Sequence, residues 1–102
     1  MWDDAARGFA AMGSEARLRV LRTLVRAGAP GLSVGEIQAR TGLAPSTLAH
    51  HLRTLAAGGV IVQERQGRTV LNRACFDALR SLADFILDDC CADSRGKAGT
   101  DG

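Results

Sequence analysis

Two short helices separated by a glycine-containing turn constrain the fold of this chain more than any other sequence feature. Ser33 and Glu36 form a capping box, S-x-x-E, whose hydroxyl and carboxylate satisfy backbone N–H groups at a helix start. This helix is predicted to end at Gly42. Pro45 fits the first position of the next helix, predicted to run to about Ala57, because a proline's missing N–H is not needed there. Two helices joined in this way form a helix-turn-helix.

The segment after these helices changes from a helical to an extended pattern. Residues 60–65 and 68–73 are two runs of strand-forming residues separated by Gln66 and Gly67, which predicts a β-hairpin. A hairpin directly behind a helix-turn-helix is a wing. The predicted fold is therefore mainly α with a small β-hairpin wing, an α+β fold of the winged helix-turn-helix type.

Apolar residues at helical spacing predict three more helices: one that ends at Gly13, one capped by Ser14, and a long one over about residues 75–91. The apolar stripes are formed by Trp2, Ala5 or Ala6, Phe9 and Met12 on the first, Leu18, Leu21, Leu24 and Val25 on the second, and Phe76, Leu79, Leu82 or Ala83, Ile86 and Cys90 on the last. A chain of 102 residues has room for one domain. The polar, glycine-rich residues 92–102 are predicted to be a flexible tail.

Charge is distributed unevenly along the chain. Residues 14–73 hold nine arginines against three glutamates, a net charge of +6, whereas residues 75–93 hold five aspartates against one arginine, a net charge of −4. A basic middle with an acidic end fits a body that binds a polyanion. The charge distribution also fits an arginine-rich solvated surface. The arrangement of residues along the helices and wing is needed to distinguish these two interpretations.

The sequence also predicts where the protein works. Its acidic start lacks the basic-then-apolar order of a secretory signal, and no apolar run approaches the roughly 20 residues that span a bilayer. We therefore expect a cytoplasmic protein with no membrane partner. Three cysteines, an odd number, argue against a disulfide scaffold and for reduced thiols, a metal or metalloid site, or a redox switch.

The fourth helix carries the strongest functional pattern. Its leucines at i, i+4 and i+7, predicted to be buried, are Leu48, Leu52 and Leu55. The opposite face carries Ser46, His50 and Arg53, whose side chains can hydrogen-bond base edges and phosphates. A solvated face is the alternative, but such faces are richer in Glu and Lys, and residues 43–61 contain no acid. The helix is predicted to read DNA, with His51 beside its buried face packing or hydrogen-bonding locally.

The run STLAHHLRTL over residues 46–55, together with residues 14–24 and 59–62, resembles the ArsR/SmtB family of bacterial repressors over about residues 5–91. Membership implies a homodimer that pairs through its terminal helices and leaves operator DNA when an effector binds. Residues 1–91 then form one DNA-binding and dimerisation domain. The DNA contacts implied by the resemblance are Ser46, Thr47, His50 and Arg53 on the helix and Arg65, Gln66 and Arg68 on the wing. A two-fold dimer implies an inverted-repeat operator, read in major grooves about 34 Å apart.

The family resemblance also limits which effectors the protein could bind. Arsenic sensors of the family often carry a cysteine cluster where this chain has residues 32–36 without cysteine, and the zinc sensors use His on a last helix that has none here. Cys90 and Cys91 remain, and adjacent thiols suit trivalent arsenic or antimony. Similar members usually have a third cysteine soon after the pair, which this chain lacks. Either Cys75 of the other chain completes the site, or two thiols suffice for an organoarsenical such as methylarsenite.

Two other interpretations of the cysteines stay open. A redox or sulfur-species switch needs thiolate, which Asp88, Asp89 and a helix C-terminus oppose. Alternatively, the cysteines only pack as small apolar side chains and bind no effector. The protein would then be an effector-free regulator or a protein-interaction module. We expect neither an enzyme nor an obligatory cofactor, because the sequence has no nucleophile–base pattern and no phosphate loop.

Overall fold

The computed structural model describes residues 1–94, which form five helices and one three-stranded antiparallel sheet. The helices are α1 (Trp2–Ala11), α2 (Glu15–Ala27), α3 (Val34–Thr41), α4 (Pro45–Ala57) and α5 (Phe76–Leu87), and the strands are β1 (Leu32–Ser33), β2 (Ile61–Gln66) and β3 (Thr69–Ala74). α3, α4 and the β2–β3 hairpin make a winged helix-turn-helix, so the predicted fold class is confirmed. Within residues 1–94 no helix is both long enough and apolar enough to cross a membrane.

The start and stop signals in the sequence set the helix boundaries. The Ser14 hydroxyl accepts a hydrogen bond of 3.1 Å from the Arg17 backbone N–H at the start of α2. At the start of α3 the Ser33 hydroxyl accepts from the Glu36 N–H at 3.2 Å, and the Glu36 carboxylate accepts from the Ser33 N–H at 2.9 Å. Gly42 ends α3 in the left-handed conformation, with φ of 75°, which a side chain would disfavour.

The core lies where α2 crosses α3 and α4. Its fully buried members are Val20, Leu24, Ile37, Leu48, Leu52, Leu55 and Val60, and the three predicted leucines of α4 are among them. The predicted stripe of α2 is only half right, because Leu18 and Val25 are 44% and 40% exposed. Viewed down the helix, Val20 and Leu24 lie on one side of Leu21 and the two exposed residues on the other, and the core contacts only the first side.

Small residues, rather than large ones, form the buried face of α1. Trp2 belongs to the predicted apolar stripe of this helix but is 75% exposed. The buried residues of α1 are Ala5, Gly8 and Ala11. A Cβ at Gly8 would lie 2.9 Å from the Leu82 Cδ1 atom, so α5 approaches α1 too closely for a larger side chain at this position. Of the other predicted apolar residues of α1, Ala5 is buried and Phe9 and Met12 pack against the core, so Trp2 is the clear exception.

Helix α5 is shorter than predicted and ends at Leu87 instead of near residue 91. Asp88 is extended, with φ −57° and ψ 143°, and Asp89 takes a positive φ of 63°. Carboxylates at a helix C-terminus oppose the macrodipole, which gives a physical reason for the early end. Cys90 therefore lies in the turns after α5 and not on its apolar stripe. Of the predicted tail, residues 95–102 lie outside the described residues.

The sheet differs from the predicted hairpin in two respects. The strand order is β1-β3-β2, and the two-residue β1, paired at Leu32 with Asn72, was not predicted. The hairpin turn is one residue later than expected, because Gln66 pairs with Thr69 and leaves Gly67 and Arg68 as the turn. Gly67 has φ of 64°, as a type II′ turn requires of its first central residue. Arg68 consequently lies at the tip of the wing.

Candidate nucleic-acid interface

Helix α4 has one fully buried face and one polar exposed face. The leucines of the buried face are at most 1% exposed, so they fix the rotation of the helix on the core. The four predicted contact residues of this helix, Ser46, Thr47, His50 and Arg53, are all exposed. The folded core therefore displays hydroxyl, imidazole and guanidinium groups along the outer face, while their contacts with DNA remain a prediction.

The first turn of α4 also favours an anion. The residue at the N-cap is Ala44, whose methyl side chain cannot accept a hydrogen bond from the helix N-terminus. The first turn of α4 contains no acidic residue. The first N–H groups of a helix and the positive end of its dipole attract phosphate when no side chain satisfies them. This end of α4 lies directly before Ser46, so backbone and side-chain donors are adjacent.

The wing carries the second set of predicted contacts. Arg65, Gln66 and Arg68 are all exposed at and beside its tip. Arg73, nearer the base of the hairpin, forms an ion pair with Glu64. The wing tip thus presents two guanidinium groups and an amide, groups that position a protein on the phosphate backbone.

Asn72 holds the base of the wing, and sequence reasoning missed it. Its side chain is fully buried, its Nδ2 donates to the Leu32 carbonyl oxygen at 3.2 Å, and its Oδ1 accepts from the Gln63 Nε2 at 3.0 Å. A polar residue in a hairpin strand usually indicates a solvated face. Only the unpredicted strand β1 turns this position into a buried one, so no local signal identified it.

His51 lies behind the exposed face of α4 and is half-buried. Its Nδ1 atom is buried and has no hydrogen-bond partner within residues 1–94. Burial, and then the nearby positive charges of Arg17 and His50, hold the pKa of His51 below its ordinary value. The side chain packs locally, as expected, and favours the neutral form.

Helices α1 and α5 together expose an apolar surface. We call it the terminal-helix face. Its exposed members include Trp2, Ile86 and Leu87, at 75%, 62% and 66%. The Trp2 ring packs edge-to-face on Phe85 with ring centroids 4.9 Å apart. Large apolar residues grouped on a surface mark an interaction site.

The two C-terminal cysteines are in direct contact. The Cys90 Sγ lies 3.2 Å from the Cys91 Sγ, with Cys90 exposed and Cys91 half-buried. The hydrogen bond between the two thiols, and to a smaller extent burial, raise the pKa of the Cys91 thiol. Cys75 precedes α5, at the end opposite the pair, separated from it by a helix about 18 Å long. Among residues 1–94 no group of three or more His, Cys, Asp or Glu could hold a metal ion.

Comparisons with known proteins agree with this fold. A family model described as "Helix-turn-helix domain" matches residues 12–64. An ArsR-like transcriptional regulator from Rhodococcus sp. RHA1 is 27% identical over 90% of this chain and 83% of its own, with a TM-score of 0.75. The homodimeric winged helix-turn-helix DNA-binding domain Mb0332 from Mycobacterium bovis, a possible ArsR-family regulator, is 26% identical over 93% of this chain and 83% of its own, with a TM-score of 0.70.

A third similar structure is reduced HlyU from Vibrio cholerae N16961, which is 27% identical over 83% of this chain and 85% of its own, with a TM-score of 0.63. Among curated proteins, none matches the sequence significantly.

A helix with one buried and one polar face, followed by a basic wing, defines a DNA-binding winged helix-turn-helix protein. The chain belongs to the helix-turn-helix domain family and is a transcriptional regulator of the ArsR family. This family and fold are those of DNA-binding regulators and not of enzymes.

Proposed function

We propose that this regulator is a repressor released from its operator by trivalent arsenicals bound at Cys90 and Cys91. The observation that carries the proposal is the 3.2 Å distance between the two Sγ atoms. Two bonds of about 2.3 Å, typical of metal–thiolate bonds, that meet near a right angle place their sulfurs roughly 3.3 Å apart. Trivalent arsenic holds its ligands in such a pyramid, so the pair needs little rearrangement to chelate it.

The third coordination position has two candidate occupants. In an antiparallel pairing of α5 helices across a homodimer, Cys75 of one protomer approaches Cys90 and Cys91 of the other. The exposed Trp2, Ile86 and Leu87 and the homodimeric Mycobacterium relative support such a dimer. Alternatively, methylarsenite brings its own carbon substituent and needs two thiols only. No further cofactor is required.

The dimer would bind an inverted repeat, with one recognition helix in each of two successive major grooves. Ser46, Thr47, His50 and Arg53 would contact bases and phosphates there, while Arg65, Gln66 and Arg68 would contact the flanking backbone. All seven side chains are exposed, which supports this assignment.

For an arsenical to release DNA, a structural change at the cysteines must be transmitted to α4. Gly8 of α1 packs against Leu82 of α5, and Ala11 of α1 packs against Gly58 at the end of α4. These contacts involve glycines, so the helices have little room to move independently. Ligation after α5 would change the packing of the terminal helices and, through α1, the separation of the two recognition helices.

A thiol redox switch is the second candidate function. The contact between the two sulfurs and the similarity to reduced HlyU favour it. The raised pKa of Cys91 does not separate the two functions, because the thiolate is both the form that reacts with oxidants and the form that binds a metal or metalloid.

The test is operator release measured by fluorescence anisotropy while the protein is titrated with arsenite, methylarsenite, zinc, peroxide and polysulfide. We expect the C90S/C91S variant to bind the operator and to lose its response to arsenicals. C75S is the matched control: it loses the response to arsenite only if the partner's cysteine completes the site. A normal arsenical response of C90S/C91S would exclude the pair as the sensor. Release by peroxide or polysulfide alone would select the redox function.

A further inference from the structure

A cleft of about 800 Å³ lies between α2 and the C-terminal end of α3. Its α3 side consists of Arg40, Thr41 and Leu43, and Leu43 belongs to the turn that leads into α4. Leu43 is three residues before Ser46, so their Cα atoms lie at most about 11 Å apart. The cleft therefore adjoins the predicted DNA interface at the start of α4.

The lining of this cleft is basic. Four arginines line it against one acidic residue, Glu15, which gives a net charge of +3. Glu15 is paired with Arg19 at 2.8 Å. The other three arginines are exposed and form no ion pair with any side chain of residues 1–94; they are Arg22, Arg26 and Arg40. Three guanidinium groups are therefore available to a ligand.

The other arginines of the basic middle segment have different roles. Residues 14–73 hold nine arginines, of which three are predicted DNA contacts on α4 and the wing. Arg73 pairs with Glu64, and Arg17 donates a hydrogen bond to the Ala11 carbonyl oxygen. The four that remain are the four that line the cleft. The positive charge that α4, the wing and the core do not use is therefore gathered in one place.

Helix stability explains only part of this clustering. Arg26 and Arg40 lie in the last turns of α2 and α3, where the helix dipole favours a positive charge. Arg22 lies one turn before Arg26, and like charges four residues apart destabilise a helix. A bound anion would neutralise the cluster and remove this repulsion.

We propose that the cleft binds the sugar–phosphate backbone of the DNA that α4 reads, with Arg22, Arg26 and Arg40 as phosphate contacts. The inference rests on DNA binding by the helix-turn-helix and not on the arsenical proposal. Arg22 and Arg26 are about 6 Å apart along α2, so their guanidinium groups would contact two phosphates of one strand. Leu18, which lines the cleft and is 44% exposed, would pack on deoxyribose.

Two observations favour DNA over a small anion or an acidic protein as the occupant. The chain belongs to a family of DNA-binding regulators, so DNA is a polyanion that it binds. The first turn of α4, which also favours phosphate, adjoins the cleft. One strand of the backbone would therefore run from the start of α4 past Leu43 to α2, and the contact surface would extend beyond α4 and the wing.

The experiment measures binding of the full-length chain to a fluorescein-labelled DNA duplex of arbitrary sequence and about 40 bp, by anisotropy from about 50 to 200 mM salt. Backbone contacts do not depend on sequence, so the operator is not needed. R22Q and R22Q/R26Q remove one and two of the proposed contacts, and R22K/R26K keeps their charge. R80Q is the matched control for R22Q, because Arg80 is exposed on α5 and does not line the cleft.

We expect the slope of log K against log salt to decrease by about 0.9 per protomer in R22Q and by about 1.8 in R22Q/R26Q. R22K/R26K and R80Q should keep nearly the wild-type slope. A second measurement detects contact itself: DNA should protect Arg22 and Arg26, but not Arg80, from an arginine-specific dicarbonyl reagent, as quantified by mass spectrometry.

Three results would each overturn the proposal: a wild-type slope in R22Q/R26Q, equal decreases in R22Q and R80Q, or no protection of Arg22 and Arg26 by DNA. The first would exclude DNA as the occupant of the cleft. C90S/C91S should retain the wild-type slope. Because no arsenical takes part in this experiment, the arsenical proposal can fail without affecting the result.

Discussion

The side-chain amide of Asn72 donates a hydrogen bond of 3.2 Å to the Leu32 carbonyl oxygen, forty residues earlier in the chain. The same side chain accepts a hydrogen bond from Gln63 across the hairpin. One buried amide therefore joins all three strands and fixes the base of the wing to the loop that precedes the helix-turn-helix.

Replacing Asn72 by leucine should lower the free energy of unfolding by about 1–3 kcal/mol, because it leaves the buried Leu32 carbonyl without its donor. Urea denaturation measures this change. Q63A is the control: it removes only the more exposed partner and should have a smaller effect. If both variants lose the same stability, the bond to Leu32 does not hold the sheet.

Gly58 is required for steric reasons and not for its backbone angles. Its φ is −79°, which any residue adopts, but an added Cβ would collide with the Ala11 Cβ and lie 3.1 Å from the Arg7 carbonyl oxygen. G58A should therefore lower the free energy of unfolding by about 1–3 kcal/mol, the usual cost of overpacking.

The matched control is G35A in α3. A Cβ there meets only the Ser33 Oγ at 4.0 Å, so the higher helix propensity of alanine should raise stability by about 0.5–1 kcal/mol. Thermal unfolding of the two variants should shift in opposite directions. A stabilised G58A would mean that α1 and α4 separate easily, which would also weaken the proposed path from the cysteines to α4.

The helix-turn-helix could be predicted because its signals are local. A capping box, a left-handed glycine and a proline at a helix start each act within one turn, and the three leucines of α4 follow one helical period. The wing turn was misplaced by one residue because a single positive-φ glycine fits two adjacent registers. Only the pairing of Gln66 with Thr69 selects one of them.

The features that sequence did not predict depend on tertiary contacts. Trp2 has ideal helical spacing for a core residue, yet the close contact of Gly8 with Leu82 turns the small face of α1 inward. The burial of Asn72 depends on a two-residue strand that has no periodicity of its own.

Arg53 should contribute to DNA binding through a phosphate or base contact. R53A should lower operator affinity, and if the contact is to a phosphate the slope of log K against log salt should decrease by about 0.9. The measurement is fluorescence anisotropy at several salt concentrations. R80A, which removes an exposed arginine of α5, should leave both affinity and slope nearly unchanged. Unchanged binding by R53A would remove Arg53 from the interface.

His51 should make the stability of the fold depend on pH in the mildly acidic range. Its pKa in the folded protein lies below the ordinary value of 6.5, because burial and the Arg17 charge disfavour the protonated form. Between these two pKa values the unfolded chain binds more protons than the folded one. The stabilising contribution is therefore complete above about pH 6.5 and is lost as the pH falls from there through the folded pKa.

Replacement of His51 by glutamine removes the proton site, so the stability of H51Q should decline less than that of the wild type between about pH 7 and 5. Urea denaturation at a series of pH values gives the two slopes. H50Q should decline by an amount between those of H51Q and the wild type, because loss of the His50 charge removes one of the causes that lower the pKa of His51. A parallel decline in H51Q would exclude His51 as the source of the acid sensitivity in this range. Glu36 would not explain it either, because its hydrogen bonds to Ser33 hold its pKa below the ordinary 4.5, so its contribution is lost only at lower pH.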